Sequence, residues 1–219
     1  KVADRCRRVG QRQHGVLVER LFTVRLCHRG GEPADAVEVH AGHGYLISQF
    51  LSPLTNRRSD EYGGSLRNRM RFLQQVISEV RHAAKSDLAV LCKMNLRDGV
   101  HGGQDLEDAV EIAQLLEREG ADALILSGGF VSAAPMYIMR GEMPTDVMSR
   151  LIENPLLRWL LRLFGSQLIS SVPYRDNYFL EDAKVIRGQV KLPLICIGGV
   201  VSRAAIDEAL AAGFEGVAM

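Results

Sequence analysis

From residue 36 onward, short apolar runs rich in β-branched residues alternate with longer stretches whose apolar positions recur at helical spacing. The runs at 36–40 (AVEVH), 88–95 (LAVLCKMN), 122–127 (DALILS), 192–197 (LPLICI) and 215–219 (EGVAM) predict five strands. Between the first two, Leu66, Met70, Leu73, Val76, Ile77, Val80 and Ala84 fall on one face of a helix that opens after Ser65. Leu106, Ala109, Ile112, Leu115 and Leu116 do the same behind Asp105, which with Asp108 resembles an N-terminal cap, and Gly120 supplies the stop. Ser202 caps a third helix carrying Ala205, Ile206, Ala209 and Leu210, and Gly213 ends it. Strands that are apolar at consecutive positions, each followed by an amphipathic helix, argue for an α/β fold: a parallel sheet covered by helices and joined by right-handed crossovers. Periodicity leaves open whether the sheet is doubly wound or closed into a barrel. Five strands are legible where a barrel has eight, so the sheet is open or the barrel incomplete.

Composition narrows the class. With 47% hydrophobic and 24% charged residues in 219, the chain can bury a large core and is too balanced to be disordered or fibrous. A formal charge of +1 gives no overall basic field, so nucleic acid is not expected as a partner. The positive charge is concentrated in residues 1–35, where Lys1, Arg5, Arg7, Arg8, Arg12, Arg20, Arg25 and Arg29 face four acidic residues. This segment reads as an atypical basic lead-in, with any helix in it falling in the 11–27 region; Asp4, Glu19 and the lack of an amphipathic period count against a targeting peptide. No apolar stretch is long enough to cross a bilayer, so neither membrane insertion nor export is expected. Cys6, Cys27, Cys92 and Cys196 lack metal-site spacing and read as reduced thiols in a cytoplasmic compartment, Cys92 and Cys196 as core filler.

In a parallel α/β protein the loops after the strands form the ligand face. After the first strand come His40, Ala41, Gly42, His43, Gly44 and Tyr45. Two imidazoles three residues apart, with glycines allowing an unusual backbone path, would aim two N–H donors at one oxygen and stabilise negative charge there. The Tyr45 phenol would give up a proton in the same space. Taken singly, His40 is a strand-end histidine and Tyr45 the first anchor of a helix through Leu46, Ile47 and Phe50; taken together they point to catalysis. A metal site is not expected, because Glu38 should point away from the pair or into the core. Lys93, inside an apolar strand, implies an anionic partner. Gly198 and Gly199, before the helix opened by Ser202, offer bare backbone N–H groups to a phosphate, as do Gly128 and Gly129 after Ser127. The charged, turn-rich stretch 52–65 reads as an internally paired loop that holds the site loop.

Residues 40–73, HAGHGYLISQFLSPLTNRRSDEYGGSLRNRMRFL, closely resemble the flavin-dependent ene-reductases of the old yellow enzyme family, in the branch of NADH:flavin oxidoreductases and 2,4-dienoyl-CoA reductases. The resemblance continues through the Lys93 strand, LSGGF (126–130), APMYIMRGEMP (134–144), SVPY (171–174), YFLEDA (178–183) and GFEGVAM (213–219). It implies that 36–219 is the C-terminal part of an FMN-binding (β/α)8 TIM barrel, about five of eight βα units, resembling the fourth to eighth. It further implies that His40 and His43 bind the carbonyl oxygen of an α,β-unsaturated substrate, an enone or enal, and that Tyr45 is the proton donor. Lys93 would stand near flavin N1 and the C2 oxygen, and Gly198 and Gly199 would cradle the FMN phosphate, with NADH or NADPH as reductant. Homo-oligomerisation is a further expectation. The other reading is a partial or degenerate barrel without flavin, in a structural or interaction role.

Overall fold

The computed structural model describes residues 15–18, 22–25, 35–84, 88–141, 145–168 and 172–218. Five parallel strands, β3 (Ala36–Ala41), β4 (Ala89–Asn95), β5 (Ala123–Ser127), β6 (Leu194–Ile197) and β7 (Gly216–Ala218), lie side by side in the order in which the chain makes them. A helix returns the chain across each gap: α2 (Leu66–Ala84), α3 (Leu106–Arg118), α7 (Leu180–Arg187) and α8 (Arg203–Ala211). Right-handed crossovers that always step in one direction put every helix on the same face. A doubly wound sheet instead reverses its order at a switch point. The unbroken order is that of a wall of a (β/α)8 barrel, and it decides what periodicity left open.

Burial follows the same logic. Val39, Ala41, Val90, Cys92, Met94, Leu124, Leu126, Leu194 and Cys196 alternate along the strands and share one buried cluster with Leu73 and Ile77 of α2, Ile112 and Leu116 of α3, Ala183 and Ile186 of α7, and Ala209 of α8. The opposite face, the inner face of a barrel wall, carries Glu38, His40, Lys93, Ile195 and Ile197, none of them buried. The predicted caps form as read: Asp105 accepts from the N–H groups of Glu107 and Asp108, and Ser202 Oγ from Ala205 N. Cys92 and Cys196 are buried free thiols in that core; burial raises both, Cys196 to about 11. Cys6 and Cys27 lie outside the described residues, as do 142–144, Ser171 and Met219 of the motif segments.

Two expectations change. Any helix of the lead-in was expected within 11–27; there the chain forms two antiparallel strands, β1 (Gly15–Val18) and β2 (Phe22–Arg25), in a stretch whose Val16, Val18, Thr23 and Val24 favour extended backbone. Between β5 and β6 there are also helices that the strand pattern did not announce: α4 (Pro135–Met139), α5 (Thr145–Arg150) and α6 (Pro155–Leu168), ahead of α7. A short helix α1 (Leu46–Leu51) follows β3 directly. Among the described residues no helix is long and apolar enough to cross a membrane.

Candidate active site

Strand β3 delivers His40 to its carboxyl end, and the chain then turns sharply. His43 has φ 61° and Gly44 φ 81°, left-handed values that glycine takes freely and histidine rarely. A side chain at Gly44 would in addition strike the Phe130 ring, 2.6 Å from the Cβ position. The turn is tied down on every side. Tyr45 N donates to Gly42 O at 3.2 Å and His43 N to Asn95 Oδ1 at 3.0 Å. Gly44 N donates to Ser48 Oγ, Gln49 Nε2 to Gly44 O, and Val131 N to His43 O. The result is convergence: the His40 ring centroid lies 5.0 Å from that of His43 and 5.1 Å from that of Tyr45, and the Tyr45 side chain is open to solvent at 58% exposure.

Strand register brings a cation to the same place. His40 pairs with Lys93 across β3 and β4, so both project from the inner face. The anionic partner that Lys93 demanded is Glu38, with its carboxylate 3.7 Å from Nζ. Glu38 therefore points neither away from the site nor into the core. Two residues before His40 in a strand, it must share the face of His40. Electrostatics keep both imidazoles neutral at pH 7. Burial, then His40 and Lys93, pull the His43 ring down to about 4, and burial followed by Lys93 lowers His40 against the opposing pull of Glu38.

Beneath the turn lies a polar network that the sequence did not reveal. Asn95, at the end of β4, accepts from His43 N and donates through Nδ2 to Gly129 O and Asp98 Oδ1, each at 2.9 Å. Gln104 closes it, Nε2 donating to Asn95 O and N to Asp98 Oδ2. Ser127, at the end of β5, places Oγ 2.6 Å from His43 Nε2. Polar residues at strand ends were the available signal, but which loop they reach is decided by register alone.

The stretch 52–65 is internally paired. Asn56 Nδ2 donates to the carbonyls of Phe50 and Tyr62, Arg58 pairs with Asp60 and lies over the rings of Phe50 and Tyr62, and Asn68 donates to Gly63 O. Gly198 (φ 110°) and Gly199 (φ 76°) stand apart from the imidazoles, at the end of β6 with β4 and β5 between. The space their missing side chains leave is taken by rings: a Cβ on either would lie 2.8 Å from Tyr178. Their carbonyls accept from Tyr178 N and Asn177 N. Among the described residues no group of His, Cys, Asp and Glu side chains is arranged to hold a metal.

A flavin fits this face on two observations. His40 Nδ1 is buried without a partner among the described residues, and Lys93 sets a positive charge beside it on the uncovered inner face.

The wall of a (β/α)8 barrel thus carries paired imidazoles, a phenol and a lysine toward its carboxyl edge. Comparison with known proteins gives the family. The model of the NADH:flavin oxidoreductase / NADH oxidase family matches residues 25–148, and the chain belongs to that family, whose cofactor is FMN and whose reductant is a reduced nicotinamide. It is 41% identical over 187 residues to 4,4'-dithiodibutanoate disulfide reductase of Rhodococcus erythropolis, covering 84% of this chain and 46% of that protein. It is 41% identical over 107 residues to an NADPH dehydrogenase of Halalkalibacterium halodurans, covering 49% of this chain and 31% of that one. The old yellow enzyme homologue of Zymomonas mobilis shares the fold, with TM-score 0.54 and 20% identity over 84% of this chain and 42% of that chain. The chain thus spans less than half the length of these relatives.

Proposed function

We propose that this chain carries the catalytic face of an FMN-dependent oxidoreductase that reduces the C=C bond of α,β-unsaturated carbonyl compounds with NADH or NADPH. The supporting observation is the packing of the His40 ring against both His43 and Tyr45 at the carboxyl edge of a barrel wall in a flavin oxidoreductase family. FMN, when bound, would supply the hydride-transfer chemistry between the nicotinamide and the substrate. The protein's part is electrostatic and positional. His40 and His43, neutral at pH 7, donate N–H groups to the carbonyl oxygen and stabilise the charge that grows there during reduction. Tyr45, exposed beside His40, delivers a proton to the substrate α-carbon. Lys93 would hold positive charge against the flavin, and the Gly198 and Gly199 amides would hold its phosphate.

The test is direct. Purified chain is titrated with FMN, reduced anaerobically by NADH or NADPH, and reoxidised with cyclohexenone. Tight FMN binding and reoxidation by the enone support the reading; protein that stays colourless in excess FMN sinks it and leaves the structural role. A second reading, reduction of an organic disulfide, follows from the name of the Rhodococcus relative. Replacing the enone by 4,4'-dithiodibutanoate in the reoxidation step separates the two. Two further assignments belong to this proposal: a cytoplasmic setting that keeps the buried thiols reduced, and self-association through the edge strands β3 and β7.

A further inference from the structure

We propose that Ser127 is a positioning residue of this site: its hydroxyl donates to His43 Nε2 and so fixes the neutral imidazole in the tautomer that carries its proton on Nδ1. The inference rests on the reading of His43 as a donor to the substrate oxygen, and it names the residue that makes it one. Ser127 is 1% exposed, and His43 Nε2 is the single partner of its Oγ among the described residues.

A contact of 2.6 Å between a hydroxyl and a ring nitrogen can be made in two ways. If the ring carried its proton on Nε2, it would donate to Oγ, and the hydroxyl hydrogen would be buried with no acceptor. That penalty has nothing to offset it. If the hydroxyl donates instead, both groups are satisfied, and the ring proton must sit on Nδ1. The choice exists only for a neutral ring, and burial together with His40 and Lys93 keeps it neutral. The backbone from which the ring projects is fixed beside Ser127, because His43 N is held by Asn95 at the end of β4 and His43 O by Val131 beyond β5. His43 thus presents an N–H donor from Nδ1, where the other tautomer would present a bare nitrogen that repels a carbonyl oxygen.

The test is long-range proton–nitrogen NMR of the histidine rings in the 15N-labelled chain, with the His43 signals among the six histidines assigned by their loss in His43→Gln. The unmodified chain is expected to show Nδ1 protonated and Nε2 bare. Ser127→Ala should turn His43 to the Nε2–H form that free imidazoles prefer, and should raise its pKa, since a bond accepted by the neutral ring is lost. Ser127→Thr, which keeps the hydroxyl, should leave both unchanged. Protonated Nε2 in the unmodified chain overturns the proposal, and so does a His43 pKa that falls or stays put in Ser127→Ala. Should Ser127→Ala not fold, the unmodified chain and Ser127→Thr decide. No flavin or turnover enters these measurements, so enone reduction can fail while the tautomer assignment stands, and the reverse.

Discussion

At the scale of single residues, the site turns on neutral imidazoles. His43 titrates at about 4 in the folded chain and near 6.5 when unfolded. As pH falls below about 6.5 the unfolded chain takes up a proton that the folded ring refuses until about 4, so stability present above the upper value is lost progressively across that window. Urea midpoints should fall between those pH values, and the fall should be shallower in His43→Gln; parallel profiles would contradict the assignment. In FMN-loaded protein, Tyr45→Phe should slow enone reduction by about 10²-fold or more while leaving flavin reduction by the nicotinamide nearly intact. His40→Ala should weaken enone binding, read from its KM. These residues were legible in the sequence because one short segment holds all three. The pairing of Glu38 with Lys93, and of Asn95 and Ser127 with His43, was not, since the partners lie on separate strands and loops brought together by register.

At the scale of elements, one arginine links the site loop to the helix layer. Arg69 of α2 is 6% exposed, donates to Leu51 O at the end of α1, and pairs with Asp108 in the first turn of α3 at 3.0 Å. Arg69→Ala strands Asp108 and the Leu51 carbonyl and should cost about 3 kcal/mol of stability, measured by urea unfolding. A loss under about 1 kcal/mol would mean the pair is dispensable. Leu116→Ala, in the part of α3 facing the sheet, should cost a similar 2–5 kcal/mol through the cavity it leaves. Helices α2, α3 and α8 were predictable because their caps and apolar spacing are local. Helices α4 to α6 were not among those expected, and Leu156, Leu157, Trp159, Leu163 and Phe164 of α6 are all exposed.

At the scale of the whole molecule, Trp159 is the single tryptophan and is 56% exposed. Its emission should lie at the red, water-exposed end and be quenched readily by acrylamide; blue emission would show that α6 is covered in solution. The five-stranded wall has one apolar face under helices and an opposite face that mixes Glu38, His40 and Lys93 with Ile125, Ile195 and Ile197 and carries the site. By itself the sequence determined the α/β class, the five strands and the candidate chemistry at their carboxyl ends, because strand and helix periods and cap residues act over a few positions. Only the tertiary structure decided that the sheet winds one way, that Glu38 meets Lys93, and that Asn95 and Ser127 reach His43. Those outcomes depend on strand register and crossover direction, which couple residues dozens of positions apart and leave no local trace.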